Sequence, residues 1–235
     1  MKLGILNAIN PAKSGVDWNK TPFDGYTRFL DEIGCDFEYV HYVVALDNFP
    51  ATVDECDAYI ITGSPDGAYA QLAWIDTLAQ FIRDCYAANI KLIGICFGHQ
   101  ILAQALGGRV EKSEKGRGFG EKPFTISHKK AWMGDYTPDE CKLYFAHDDQ
   151  VMALPPEAEL LGGNEFCPIA LYTINDKVLG MQGHPEFTPS IMEDIRVMTE
   201  GNMDEEMYET AVSSLETANP DRAIAGQWIH NFLKN

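Results

Sequence analysis

The sequence predicts an α/β protein built on an open, mostly parallel sheet with helices on both faces and a small antiparallel extension. Three observations carry that expectation. Through the first hundred residues, short apolar runs alternate with amphipathic stretches at the spacing of βαβ units. The run Lys91-Leu92-Ile93-Gly94-Ile95 stops abruptly at Cys96-Phe97-Gly98 and opens into a helical segment, which reads as a buried strand, a sharp turn and a helix. With 235 residues and 46% hydrophobic content, the chain is long enough to bury one sizeable core.

The elements follow in order. Lys2 to Ala8 reads as a first strand ending at the Asn10-Pro11 turn signal. Residues 11–22 read as a polar loop, followed by a helix from Tyr26 to Ile33 that Gly34 closes. Phe37 to Val44 is rich in aromatic and β-branched residues, as a second strand should be. Ala58 to Thr62 forms a third strand, running into Gly63-Ser64-Pro65-Asp66-Gly67. Leu72, Ile75, Leu78, Ala79, Ile82 and Tyr86 place an apolar stripe on a helix over residues 71–87. In parallel sheets ligands bind beyond the carboxyl ends of the strands, so Gly63 and Cys96 are candidates for one shared site.

The second half is less regular. Phe119 to Ser127 and Lys142 to Phe145 read as strands of an antiparallel extension. Ile169 to Ile174 and Val178 to Gln182 form a hairpin around Asn175-Asp176. Three helical stretches follow, Pro189 to Met198, Asp204 to Thr217 and Asp221 to Phe232. The expected organisation is one domain over 1–198 with a helical extension over 199–235. Trp228, Ile229, Phe232 and Leu233 recur at helical spacing and should pack back on that domain.

Composition narrows the partners. Eighteen basic against 35 acidic residues give a net charge of −17, which argues against nucleic acid and against anionic membrane surfaces. No run of 18 apolar residues predicts a transmembrane helix, and the N-terminus lacks the pattern of a signal peptide. The six cysteines (Cys35, Cys56, Cys85, Cys96, Cys141, Cys167) are scattered without a C-x-x-C pair, which suits a reduced, cytoplasmic protein. His147, Asp148 and Asp149 lack the spacing of a metal site, so no metal is expected.

The chemistry sits in two motifs. Gly94 and Gly98 flank Cys96 in a G-x-C-x-G pattern, the thiol counterpart of the nucleophile elbow. Such a turn presents the sulfur at a helix N-terminus, where backbone N–H groups favour a thiolate. A thiol nucleophile needs a base, and the base needs an orienting acceptor. The strand Val178 to Gln182 runs into Gly183-His184-Pro185-Glu186-Phe187. In extended chain His184 and Glu186 share a face, and Pro185 keeps the backbone out of helix. Cys96, His184 and Glu186 therefore form a candidate catalytic triad. His99 starts a helix beside Cys96 and is read as structural, and His41, His128 and His230 as packing or surface residues.

Gly-Ile-Cys-Phe-Gly-His-Gln together with Gly-His-Pro-Glu-Phe resembles the class I (triad-type) glutamine amidotransferases. Within them the chain resembles the amidotransferase part of GMP synthetase and, more strongly, the free-standing proteins of that branch, some of which are γ-glutamyl peptidases. The resemblance implies a flavodoxin-like fold and attack by Cys96 on the γ-carbonyl of a γ-glutamyl amide. It places backbone oxyanion donors at Gly63 and Phe97, with Ser64 beside them. It also assigns Gln100 and the stretch His147 to Val151 to the glutamyl pocket. Asp149 could there meet the substrate's α-ammonium group, or be an ordinary loop acid.

The chain carries no P-loop or other nucleotide fingerprint, so no cofactor is expected and it could not activate an acceptor alone. Two enzymatic readings follow: a free-standing hydrolase of a small γ-glutamyl substrate, and a glutaminase subunit feeding ammonia to a separate synthetase subunit. A catalytically silent binding module is a third reading, and a different cysteine hydrolase of similar fold a fourth. Loops 11–22 and 112–120 are candidate lids over the site.

Overall fold

The structure, a computed structural model, describes residues 1–10 and 25–235. The loop expected over residues 11–22, one of the two candidate lids, lies outside the described residues.

Five strands form the parallel half of the sheet. They are β1 (Lys2–Leu6), β2 (Glu38–Tyr42), β3 (Ala58–Ile61), β4 (Lys91–Ile95) and, from far along the chain, β11 (Val178–Met181). Each of these was expected, with ends shifted by one or two residues. Between them lie helices α1 (Gly25–Glu32), α2 (Ala73–Ala87) and α3 (Phe97–Ala105). The second half adds β6 (Gly118–Ile126), β7 (Glu140–His147), β9 (Ala158–Gly163) and β10 (Leu171–Ile174) as an antiparallel wing. Together they make a nine-stranded sheet in the order β2-β1-β3-β4-β11-β10-β9-β6-β7. A separate two-stranded ribbon pairs β5 (Arg109–Lys112) with β8 (Asp149–Ala153).

Strands β5, β8 and β9 were not anticipated. They are four to six residues long, and β5 reads Arg-Val-Glu-Lys with a single buried side chain. Their pairing is fixed by partners distant in sequence rather than by local pattern. The β10–β11 hairpin does turn at Asn175-Asp176, where both residues adopt positive φ (48° and 53°), as a two-residue primed turn requires.

The parallel strands inside the sheet, β1, β3, β4 and β11, are buried on both faces, and their side chains alternate between two apolar layers. Ile60, Ile93, Ile95, Leu179 and Met181 face α1 and a C-terminal helix, α6 (Arg222–Lys234). Tyr59, Ile61, Leu92 and Val178 face α2 and α3. This is the reason these strands read as continuous hydrophobic runs rather than as alternating ones. A third, smaller cluster joins Phe119 and Tyr144 of the wing to α4 (Pro189–Thr199) and α5 (Glu205–Glu216) through Met192 and Ala211. Both of these helices begin on side-chain caps: Thr188 accepts from the Ile191 N–H and Asp204 from the Met207 N–H.

The C-terminal stretch packs as its spacing suggested. Trp228, Ile229, Phe232 and Leu233 are buried in the layer that also covers β3 and β4, and the Phe232 ring meets Trp132 edge-on at 5.4 Å. Trp228 is among the largest fully buried side chains. Trp228→Ala should therefore cost about 3–5 kcal/mol of unfolding free energy. Urea denaturation checks this; a loss under about 1 kcal/mol would mean that α6 is only loosely attached.

Candidate active site

Three neighbouring parallel strands, β3, β4 and β11, run in register: Ile61 lies opposite Gly94, and Met181 opposite Ile95. Their carboxyl ends therefore deliver Gly63, Cys96 and His184 to one place. A Cβ built on Gly63 would lie 3.3 Å from His184 Cε1 and 3.8 Å from Cys96 Cβ.

Cys96 occupies the turn between β4 and α3 with φ 54° and ψ −106°. A non-glycine residue in this region is strained by roughly 1–3 kcal/mol. Both ends of the turn are tied: the Cys96 N–H donates to the Met181 carbonyl (2.9 Å), and the Gln100 N–H donates to the Cys96 carbonyl (3.1 Å). The flanking glycines are required by close backbone approach. A Cβ on Gly94 would collide with the Gly98 backbone, and a Cβ on Gly98 with the Ile61 carbonyl. The thiol is buried and its S–H points at the Ala146 carbonyl, 3.9 Å away on β7.

His184 is fixed from several sides. Its N–H donates to the Tyr144 carbonyl (2.8 Å), bridging the end of β11 to β7. Its Nδ1–H donates to Glu186 Oε1 (2.8 Å), so the two side chains share a face as their spacing predicted. The Phe187 ring stacks flat on the imidazole, centroids 3.8 Å apart. Nε2 has no hydrogen-bond partner among the described residues, which leaves it available to a reacting group. Burial disfavours the imidazolium, but the Glu186 carboxylate and the Cys96 sulfur outweigh that penalty and push His184 well above its usual value.

A residue without any sequence signal joins this pair. Tyr26, on α1, donates its hydroxyl to Glu186 Oε1 (2.8 Å) and accepts the Gly63 N–H (3.3 Å). Burial and the neighbouring Glu186 push the phenol well above its ordinary value, so it stays protonated and remains a donor. Glu186 Oε2 has no partner among the described residues.

The expected glutamyl-pocket residues gather around the start of β8. Gln100 Nε2 donates to the Asp149 carbonyl (2.7 Å) and to Gln182 Oε1 (3.1 Å), and His147 Nδ1–H donates to the same Asp149 carbonyl (3.0 Å). Gln100 and His147 are both buried beneath Asp149, holding its backbone. The Asp149 side chain is half-buried at the head of a strand rather than in a loop. Its carboxylate accepts from the Tyr69 hydroxyl (3.0 Å), while burial pushes its pKa up. Ser64 caps its own turn by accepting the Asp66 N–H (3.2 Å). The second candidate lid, 112–120, contains the end of β5 and the start of β6. It is fastened by the Ser113 N–H to the Asp148 carbonyl (2.8 Å) and by an Arg117–Asp148 ion pair (2.6 Å).

His99 is fully buried against Tyr172, ring centroids 4.9 Å apart, on the far side of the elbow from His184. All six cysteines are free and buried. Among the described residues no cluster of three or more His, Cys, Asp or Glu side chains could hold a metal, and no helix is long and apolar enough to cross a membrane.

The buried histidines predict a pH dependence of stability. Burial holds His99 and His147 neutral, with values lowered to about 3. Between there and about 6.5 the unfolded chain binds protons that the folded chain refuses. Stability must therefore fall as pH is lowered through that window, by up to about 1.4 kcal/mol per pH unit per group. His184 acts in the opposite sense, stabilising below about 6.5 and losing that contribution as pH rises through its raised value. Urea unfolding at several acidic pH values should show a shallower slope for His99→Asn than for the wild-type chain; parallel slopes would contradict the assignment.

Comparison with known proteins agrees with this geometry. The family model of the class I glutamine amidotransferases matches residues 22–197. Gamma-glutamyl peptidase 3 of Arabidopsis thaliana is 34% identical over 226 residues, covering 92% of this chain and 91% of its own. A GMP synthase of Streptomyces avermitilis is 30% identical over 130 residues, covering 55% of this chain but only 24% of the synthase. Among solved structures, a glutamine amidotransferase of Thermotoga maritima matches with a TM-score of 0.73 at 17% identity, over 100% of this chain and 98% of that one. A glutamine amidotransferase of Methylobacillus flagellatus matches at 0.71 and 21% identity, over 98% and 94%. The sheet is thus the open, flavodoxin-like α/β sheet that the sequence predicted, and the chain belongs to the class I glutamine amidotransferase family.

Proposed function

We propose that the protein is a cysteine hydrolase of γ-glutamyl amides, with Cys96 as nucleophile, His184 as proton carrier and Glu186 as its orienting acceptor. The observation that carries this reading is the convergence of the strained Cys96 elbow with the buried His184–Glu186 pair at the carboxyl ends of adjacent parallel strands.

In this reading the Cys96 proton passes to His184 Nε2 before the attack, as the raised value of His184 favours, and the sulfur then attacks the γ-carbonyl carbon. The carbonyl oxygen becomes an oxyanion received by the Phe97 N–H; the Gly63 N–H, the other expected donor, is given to the Tyr26 hydroxyl (3.3 Å) and has to leave it to take part. Each such donor is typically worth about 10²–10³ in rate. The C–N bond then breaks, the departing nitrogen takes the proton from His184, and a γ-glutamyl thioester remains on Cys96. Water, deprotonated by His184, attacks the thioester, releasing glutamate and restoring the thiol. The Asp149 carboxylate, oriented by Tyr69 beside Gly67, meets the substrate's α-ammonium. Gln100 and His147 serve that pocket indirectly, through the Asp149 carbonyl.

The near full-length relatives named gamma-glutamyl peptidases favour a peptide leaving group and a reaction completed by this chain alone, and the six free cysteines favour the cytoplasm. The GMP synthases, which match over only a quarter of their length, support the second reading: a glutaminase passing ammonia to a separate synthetase subunit.

Glutamate release from glutamine, glutathione and γ-glutamyl amines separates the two readings. Cys96-dependent turnover of a peptide or amine is expected, with Cys96→Ala lowering the rate at least about 10³-fold. Slow turnover of glutamine alone would favour the subunit reading, and turnover undiminished in Cys96→Ala would overturn both.

A further inference from the structure

We infer that Tyr26 is a positioning residue that couples the orienting acid of the triad to the backbone that follows β3 into the site. The inference rests on the proposed hydrolytic function and extends it to a residue outside both sequence motifs.

The geometry is a chain of hydrogen bonds that ends on Glu186 Oε1 from two sides. The Gly63 N–H donates to the Tyr26 oxygen (3.3 Å), the Tyr26 O–H donates to Glu186 Oε1 (2.8 Å), and His184 Nδ1–H donates to that same Oε1 (2.8 Å). Bonds aligned in this way polarise one another in a buried setting. Glu186 is buried, and its other oxygen has no partner among the described residues, so Tyr26 and His184 supply its hydrogen bonds there. Without the hydroxyl, a buried carboxylate keeps one donor and is free to rotate about it, and the imidazole loses its fixed plane. At its other end the same hydroxyl holds the first residue after Thr62, whose backbone follows β3 into the site. Tyr26 thus makes the orientation of His184 and the placement of Gly63 mutually dependent. Its ring packs against the apolar layer that α1 shares with α6, so removing the oxygen alone leaves the packing in place.

Tyr26→Phe tests this directly. Loss of a hydrogen bond to a charged group is expected to lower kcat about 10- to 100-fold, with KM changed less than about twofold because the glutamyl pocket is untouched. The melting temperature should fall by only a few degrees, as the loss of one hydrogen bond to a buried carboxylate requires, with the packing kept. The discriminating measurement is a double-mutant cycle with Glu186→Gln, read both as turnover and as the rate of Cys96 alkylation by iodoacetamide. If Tyr26 acts through Glu186, its substitution slows alkylation in the wild-type background and has little further effect in Glu186→Gln. Equal, additive losses in both backgrounds, or an unchanged kcat in Tyr26→Phe, would overturn the inference. The alkylation arm needs no substrate, so it decides the coupling even if the wild-type chain releases no glutamate, an outcome that would count against the proposed function instead.

Discussion

The backbone of Cys96 is the constraint on which the site depends. A residue with a Cβ is held at positive φ between two glycines, on the single turn that converts β4 into α3. The strain of that conformation is offset by hydrogen bonds to Met181 and Gln100 and by the seating of Gly98 on the Ile61 carbonyl. Each of those contacts reaches a different element: β11, α3 and β3. The elbow is therefore not a local oddity of six residues but the point at which three parallel strands and a helix are made to agree. The same agreement brings Gly63 and His184 alongside the sulfur.

The antiparallel wing and the C-terminal helices serve the second member of the site. His184 lies only three residues after β11 ends, and its backbone is pinned to Tyr144 of β7. Tyr144 in turn belongs to the cluster that α4 and α5 cover, and Ser214 of α5 bonds the Glu121 N–H of β6 (3.0 Å). From the opposite side Arg222, at the start of α6, donates to the Pro185 carbonyl (2.8 Å), with its guanidinium over Phe29. The His-Pro-Glu turn is thus clamped between the wing and α6. This gives the C-terminal stretch, whose sequence indicated only packing, a direct connection to the residues that hold the base.

How much of this was legible follows from where the determining contacts lie. The parallel strands and the elbow were readable because burial on both faces imposes uninterrupted apolar runs, and because two glycines around one cysteine report a close approach that few other causes demand. His184 and Glu186 were readable because an extended backbone places residues two apart on one face. The strands β5, β8 and β9 were not, since their side chains are mixed and their partners are distant. Asp149 read equally well as a pocket acid or as a loop acid for the same reason: only its pairing with Lys112 makes it the head of a strand. Gln100 and His147 come together beneath Asp149, but both reach it through a shared carbonyl, a contact that residue type does not encode. Tyr26 left no trace, because a tyrosine on an amphipathic helix looks like any core residue until its hydroxyl is located.

The account stands on Cys96 as the atom that takes the γ-glutamyl group. The most direct measurement is mass spectrometry of the protein quenched during turnover of a γ-glutamyl substrate, followed by mapping of the modified peptide. The account predicts a γ-glutamyl adduct on the peptide bearing Cys96, lost on alkaline hydroxylamine treatment as a thioester should be, and absent from Cys96→Ala. Sustained turnover with the adduct on another residue, or turnover that persists in Cys96→Ala, would contradict it.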